Sequence, residues 1–203
     1  MPAKKNKAAS MSGAIVTALP VRELKAYYHG QPTEAFTSTR FYWAAGQQLR
    51  ESIAAHCLAK RRPAGAESLV DTAAKVEVLL RPAIGEDYTD PDFLVQSYEQ
   101  KLPIDETAAL AQVTMRFPRA TNLHAPWEQA RCWLRSFYVQ EHGVPVLAIL
   151  HAPHLAGSDS PVHVHGLVLM RRLSPFGWMC VHRELASDAG FAAAQASWEQ
   201  FSK

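Results

Sequence analysis

The chain has 203 residues, of which 48% are hydrophobic and 20% are charged, and its formal net charge is +2 at pH 7. This length fits one domain, and this proportion of apolar residues excludes an intrinsically disordered chain. The weakly basic charge neither requires nor excludes a nucleic-acid partner.

The N-terminus is basic and rich in small residues that offer nothing to bury. We expect a basic flexible arm over residues 1–12, followed by a single domain over residues 13–203. Ser12, Gly13 and Thr17 interrupt the apolar stretch after the arm, so we expect no export signal. No apolar run approaches the roughly eighteen residues of a membrane span, which predicts a protein without membrane contact.

The chain has three cysteines and no CxxC spacing: Cys57, Cys132 and Cys180. An odd number of widely spaced cysteines favours neither a disulfide framework nor a cysteine-ligated zinc site. We therefore expect reduced thiols and a cytoplasmic protein.

The N-terminal half of the chain predicts two strands and two helices. Residues 13–21 favour a short strand. Residues 37–62 (TSTRFYWAAGQQLRESIAAHCLAKRR) favour a helix, because apolar residues recur at helical spacing and basic residues gather near its C-terminal end. Residues 75–81 alternate apolar and charged side chains, the period of a half-buried strand, and residues 93–102 favour a short helix.

The C-terminal half predicts three strands and two helices. Residues 111–118 favour a strand that ends at a proline, and residues 126–142 favour a helix with a glycine directly beyond its end. Residues 144–151 form a continuous apolar run, typical of a strand covered on both faces, and residues 162–170 favour its partner strand. Residues 187–201 favour a terminal helix. The predicted fold class is α/β (α+β), with a central antiparallel sheet of about five strands and helices packed on one face.

Four of the nine histidines fall within fifteen residues: His151, His154, His163 and His165. Alternate residues of a strand point to the same face, so His163 and His165 share one face. If the two flanking strands pair antiparallel, His151 lies beside them. Three neutral imidazoles favour a divalent metal site with an open position, and ligand type alone favours zinc, nickel or manganese. His154, on the connecting loop, is a less rigid alternative.

Other interpretations of these histidines stay open. His163 and His165 are ordinary polar residues if their strand faces solvent. A cupin-type site also uses HxH, but it needs a glutamate a few residues later, where this chain has LVLMRR. A three-histidine zinc hydrolase acting on a small substrate is a further alternative, because three imidazoles and one open position suit the activation of water.

A longer pattern surrounds the histidines. A strand ending in FP is followed by an amphipathic helix containing FY, a glycine, an apolar strand ending in His, and an HxH strand followed by RR. In this order the chain resembles the MobA/MobL relaxase family of HUH endonucleases. The matching stretches, within residues 110–203, are VTMRFP, WEQARCWLRSFYVQEHG, VPVLAILHAPH, PVHVHGLVLMRRL and, more weakly, GWMCVHREL and ASWEQF.

The resemblance implies an HUH-endonuclease-like fold and a relaxase that nicks single-stranded DNA at a transfer origin during plasmid mobilisation and conjugation, together with accessory mobilisation proteins. It implies that His151, His163 and His165 hold Mg²⁺ or Mn²⁺, with Zn²⁺ as an alternative. A tyrosine then attacks the phosphodiester, which gives a 5′-phosphotyrosyl intermediate and a free 3′-hydroxyl. The rival within the same fold is a catalytically degenerate remnant, favoured by the lack of a recognisable N-terminal relaxase segment.

The family places its tyrosine N-terminal to the histidines. Tyr42, expected at the start of the helix over residues 37–62, is the first candidate nucleophile, and Tyr28 and Tyr27 follow. The alternative for Tyr42 is that it packs against the sheet beside Phe41.

Basic residues after the histidine strand are candidate DNA contacts. Arg171 and Arg172 end that strand, and His182 and Arg183 follow GWMC; all are solvated strand ends in the alternative interpretation. A carboxylate is also expected to orient one ligating ring through its second nitrogen. Four are available: Asp71, Glu77, Asp159 and Glu184.

Overall fold

The structure is a computed structural model that describes residues 25–28, 35–43, 52–65, 67–103 and 105–203. The predicted basic arm and the predicted strand over residues 13–21 lie outside the described residues. The division into an arm and one domain therefore stays a prediction.

Six strands within the described residues form one antiparallel sheet. They are β1 (Lys25–Tyr28), β2 (Phe36–Tyr42), β3 (Lys75–Leu79), β4 (Ala108–Phe117), β5 (Val146–His151) and β6 (Val162–Leu169). Their order across the sheet is β1-β2-β4-β6-β5-β3, and every neighbouring pair is antiparallel. The expected central antiparallel sheet is confirmed, with six strands. A separate hairpin, which the sequence analysis did not predict, pairs β7 (Arg171–Ser174) with β8 (Gly177–Val181).

Helices connect and cover the strands. They are α1 (Ser52–Arg61), α2 (Pro91–Lys101), α3 (His124–Leu134) and α4 (Asp188–Phe201). A π-helical segment, Arg135–Glu141, continues α3. Gly143 follows with φ +72°, a conformation that suits glycine at a helix end. Within the described part of the chain, no helix combines the length and the apolar character needed to cross a membrane.

The helices cover both faces of the sheet, so the expectation of one covered face is wrong. One core cluster joins α3 and α4 to the face that carries Val164, and a second joins α1 and α2 to the opposite face, which carries Leu167. The reason lies in β6. His163 and His165 are followed on their own face by Leu167 and Leu169, so this face is polar at one end and needs apolar cover at the other.

The predicted helix over residues 37–62 is wrong in its first part, where β2 forms instead. Thr37, Thr39 and Phe41 alternate along β2 and pair with β4. β-Branched and aromatic side chains fit a pleated sheet better than a helix, and the pairing with β4 outweighs the local helical spacing. The helical conformation is described from Ser52 onward, so Tyr42 ends a strand rather than starting a helix.

Candidate metal centre

The antiparallel pairing of β5 and β6 brings three imidazoles together. His151 pairs directly with His163 across the two strands, and His165 lies two residues further along on the same face. The ring centroids are 5.1 Å apart for His151 and His163, and 4.8 Å apart for His165 and each of the other two. We call these three residues the histidine triad. His154 lies in the short 3₁₀ turn Pro153–Ala156 and is not part of the cluster.

Each ring of the triad has one nitrogen held by an oxygen. His151 Nε2 lies 2.6 Å from the carbonyl oxygen of Lys60, and His163 Nδ1 lies 2.8 Å from that of Pro161. His165 Nδ1 lies 2.9 Å from Thr114 Oγ1. In the tautomers that donate these bonds, the other nitrogen of each ring keeps its lone pair. Those nitrogens are His151 Nδ1, His163 Nε2 and His165 Nε2.

The spacing of the triad fits a single divalent ion. One candidate ligand atom of each residue lies within 4.8 Å of the other two. Metal–nitrogen bonds of about 2.1 Å place ligand nitrogens roughly 3 to 4 Å apart, close to what the rings offer. Three protein ligands leave coordination positions open for a substrate oxygen. The residues present therefore fit a metal of the kind that imidazole binds.

The electrostatic surroundings favour neutral imidazoles. Burial lowers the pKa of all three rings and lowers that of His165 furthest, because this side chain is almost fully buried. The nearby Lys60 ammonium lowers all three pKa values further, and Arg116 lowers that of His163. Neutral imidazole is the form that binds a metal ion.

The expected carboxylate is not among the orienting groups of the triad within the described residues. Asp71 pairs with Arg61, and Glu77 pairs with Arg131. The rings bond instead to two backbone carbonyls and one threonine hydroxyl. Neither Asp159 nor Glu184 contacts them. The expectation of a carboxylate partner is therefore wrong, because backbone oxygens already hold two of the rings.

The strand register places none of the three candidate tyrosines beside the triad. Tyr42 pairs with Ala108, whereas His165 pairs with Thr114, six residues further along β4. This offset is about 20 Å along the strand, and β2 lies a further two strand spacings, about 10 Å, from β6. Tyr27 pairs with Arg40, whose guanidinium carbon lies 5.0 Å from the Tyr27 ring centre.

Tyr27 and Tyr42 instead share a surface cavity of about 350 Å³ with Arg40 and Arg183. Tyr28 is the last residue of β1, and its backbone pairs with Thr39. Because β1 runs antiparallel to β2, β1 ends toward the end of the sheet at which β2 begins. Through Thr39, Tyr28 lies level with Gln112, two residues along β4 from Thr114, and β1 lies three strand spacings, about 14 Å, from β6.

The three candidate arginines differ in their surroundings. The Arg171 guanidinium is buried and donates to the carbonyl oxygens of Met179, Lys101 and Trp178. Arg172 is exposed and contacts His182 Nε2 at 3.3 Å. The Arg183 side chain is 74% exposed and pairs at 2.8 Å with Glu106, a carboxylate that is 1% exposed. Arg172 and Arg183 thus reach solvent, whereas Arg171 is occupied inside the protein.

Sequence reasoning missed two cations beside the triad, Lys60 and Arg116. Lys60 lies in the last turn of α1. Arg116 lies on β4 and pairs with His163 on β6. One signal was available. Gln112, Thr114 and Arg116 form a polar row on alternate positions of β4, but only the pairing of β4 with β6 places that row beside the histidines.

No protein-family model and no curated protein matches the chain. Two solved structures are similar. One comes from work on the molecular basis of vancomycin resistance transfer in Staphylococcus aureus. It has a TM-score of 0.53 at 15% identity, and the alignment covers 64% of this chain and 68% of the chain of that structure. The other is the conjugative relaxase TrwC in complex with oriT DNA, in its metal-bound structure, with a TM-score of 0.45 at 10% identity, covering 82% and 68%. The first likeness shows that the chain shares its α/β fold with the protein from that work, and at this identity it concerns the fold alone.

Proposed function

We propose that this chain is a relaxase-like endonuclease of the MobA/MobL type, which nicks single-stranded DNA at a transfer origin in plasmid mobilisation and conjugation. One observation carries the proposal. Three oriented imidazoles, His151, His163 and His165, converge on one face of a sheet whose fold is shared with a protein of vancomycin resistance transfer. A cytoplasmic site of action belongs to the proposal, and the three cysteines are free thiols.

The triad supplies the place at which a phosphodiester is activated. His151, His163 and His165 would hold Mg²⁺ or Mn²⁺, with Zn²⁺ as the alternative, and the ion would supply polarisation of the phosphate and offset the charge that develops during displacement. His151 and His163 donate to the carbonyl oxygens of Lys60 and Pro161, and His165 is bonded to the Thr114 hydroxyl, so all three rings are already oriented. Because the rings do not need to reorient on binding, less of the binding energy is lost to ordering them.

The chemical step is a transesterification. The tyrosine oxygen attacks phosphorus and its proton leaves, the bond from phosphorus to the 3′ oxygen breaks, and that oxygen takes up a proton as a free 3′-hydroxyl. The 5′ phosphate stays bound to the tyrosine as a diester. The energy of the broken bond is retained in this ester, so the DNA can later be resealed, which hydrolysis does not allow.

Among the candidate nucleophiles we prefer Tyr28, because its partner Thr39 pairs with Gln112, which belongs to the same row of alternate β4 positions as Thr114 and Arg116. Tyr42 and Tyr27 are the alternatives, and both lie in the cavity away from the triad. Tyr98 and Tyr138 are unsuited, since both are fully buried and burial raises the pKa of each hydroxyl.

DNA contacts outside the triad are assigned to exposed arginines. Arg172 and Arg183 both reach solvent and are available to phosphate oxygens. Arg171 contributes indirectly in this proposal, because its guanidinium holds the β7–β8 hairpin on the carbonyls of Met179 and Trp178. Accessory mobilisation proteins are further partners in the proposal.

A covalent-adduct assay tests this function. The full chain is incubated with Mn²⁺ and single-stranded oligonucleotides of randomised sequence carrying a 3′ label, and the products are separated on denaturing gels. We expect a labelled protein band that disappears with EDTA, in His163→Ala/His165→Ala and in Tyr28→Phe. Mass spectrometry of the adduct identifies the modified tyrosine. A modified peptide that contains Tyr42 or Tyr27 would assign the nucleophile to that residue instead.

Two other results would replace the proposal. Metal-dependent binding of single-stranded DNA with no adduct from any oligonucleotide would identify a catalytically degenerate remnant, which the distance of Tyr27 and Tyr42 from the triad favours. Zinc retained through purification, together with no affinity for DNA at low salt, would identify a three-histidine hydrolase, which the imidazole-only ligand set favours.

A further inference from the structure

Two cations approach the triad from different elements. The first is Lys60, in the last turn of α1, whose carbonyl oxygen bonds to His151. This bond places Lys60 directly beside the triad, and its side chain is partly buried. Burial also lowers the pKa of Lys60 itself.

The second cation is Arg116, which stands on β4 directly opposite His163. Paired residues of an antiparallel sheet point to the same face, so Arg116 belongs to the face that holds the triad. Its guanidinium donates to Thr37 Oγ1 at 3.3 Å, so the end of the side chain lies toward β2. The Arg116 side chain is partly exposed, so solvent reaches it.

The charges around the triad are unbalanced. The orienting groups of the three rings are two carbonyls and a hydroxyl, and none carries a negative charge. Lys60 and Arg116 add two positive charges, and a divalent ion adds two more. A site of this charge binds an anion well and a neutral substrate poorly.

We propose that Lys60 and Arg116 form a phosphate clamp that binds phosphodiester oxygens of single-stranded DNA on either side of the triad. This inference rests on the proposed function and deepens it, because it assigns the residues that receive the DNA backbone at the metal centre. The clamp binds backbone rather than bases, so its contribution is independent of the DNA sequence. The planar Arg116 head suits two oxygens of one phosphate, whereas Lys60 acts as a point charge.

The test compares charge-removing variants in a binding assay. Lys60→Met and Arg116→Met are measured beside Arg135→Met, which removes a charge from α3's continuation on the opposite face. A fluorescein-labelled single-stranded oligonucleotide is titrated in Mn²⁺ at several salt concentrations, and Mn²⁺ affinity is measured separately without DNA. We expect roughly tenfold weaker DNA binding in each clamp variant, a salt slope reduced by about 0.7, and unchanged binding in Arg135→Met.

The outcomes separate the clamp from the proposed function. Arg116→Lys keeps the charge, so we expect it to retain the wild-type salt slope. Clamp variants that bind DNA like the wild type would overturn the clamp and leave the proposed function standing. Clamp variants that lose Mn²⁺ affinity in proportion to DNA affinity would also overturn it, because the residues then act through the metal site. Clamp-dependent binding without a tyrosine adduct would support the clamp and contradict the proposed function.

Discussion

His151 Nε2 lies 2.6 Å from the carbonyl oxygen of Lys60, so the end of α1 and the triad share a hydrogen bond. Carbonyls in the last turn of a helix have no partner within the helix, and here an imidazole provides one. Arg61, the next residue, fixes this turn through bonds from its guanidinium to Asp71 and Asp92. Its own carbonyl accepts the backbone N–H groups of residues 72 and 73.

The first prediction concerns Arg61, whose side chain is only 8% exposed. We expect Arg61→Met to lower the free energy of unfolding by about 1.5 to 3 kcal/mol, since it removes the charge-assisted hydrogen bonds of a buried guanidinium to two carboxylates. We also expect metal affinity to fall roughly tenfold, because the Lys60 carbonyl no longer holds His151 in place. Urea unfolding and Mn²⁺ titration measure the two effects.

Arg131→Met is the matched control for Arg61→Met. Arg131 also forms a two-oxygen pair, with Glu77, but both side chains are about 30% exposed and lie away from the triad. We expect a loss of less than about 1 kcal/mol and no change in metal affinity. Equal metal affinity in Arg61→Met and the wild type would contradict a positioning role for the end of α1.

The second prediction is the pH dependence of stability without metal. Burial lowers the pKa of the three triad histidines and of His56 in the folded state, so the unfolded chain binds more protons below about pH 6.5. We therefore expect the free energy of unfolding in EDTA to fall as the pH is lowered from 7.5 to 5.5. Urea midpoints at several pH values measure it.

The control for this pH dependence is His163→Asn/His165→Asn, which removes two of the groups that titrate. Its stability is expected to change less with pH over the same interval. A wild-type urea midpoint that stays constant or rises as the pH falls to 5.5 would show that these rings are not held in a neutral form.

The third prediction concerns Gly166, which follows His165 on β6. A Cβ atom at this position would lie 2.5 Å from Leu134 Cδ2 and 2.9 Å from Val113 Cγ2, so α3 packs closely here because position 166 has no side chain. We expect Gly166→Ala to destabilise the fold by about 1 to 3 kcal/mol through overpacking. Chemical denaturation measures the change.

Gly85→Ala serves as the control, since a Cβ there has no heavy atom within 4 Å. We expect a change within about 0.5 kcal/mol. Similar denaturation midpoints for Gly166→Ala and Gly85→Ala would mean that the contact of α3 with β6 is looser than the structure has it.

The convergence of the triad could be predicted from the sequence because it depends on local rules. His163 and His165 share a face by strand alternation, and the short connection to the preceding strand predicts the antiparallel pairing that brings His151 beside them. The groups that orient the rings could not be predicted. Every residue has a backbone carbonyl, so nothing distinguishes Lys60 or Pro161 as a partner until the fold is known.

The position of Tyr42 could not be predicted for a different reason. Strand β2 is specified by its pairing with β4, which lies more than sixty residues later in the chain. The local spacing of apolar residues does not indicate such a long-range contact. The helical cover on both faces of the sheet could have been predicted. Leu167 and Leu169 extend the face of His163 and His165, and two leucines on a histidine face indicate a helix over that end.

The most direct measurement of the central claim, that the triad is a metal centre, is thermal unfolding of the wild type and of His163→Ala/His165→Ala with EDTA, Mg²⁺, Mn²⁺ or Zn²⁺. An ion that binds only the folded chain stabilises it by about 2.7 kcal/mol at a hundredfold excess over its dissociation constant. We expect such a rise in the wild type with Mn²⁺ and none in the double variant. A well-folded wild type whose unfolding temperature is the same in EDTA and in every metal would contradict the claim.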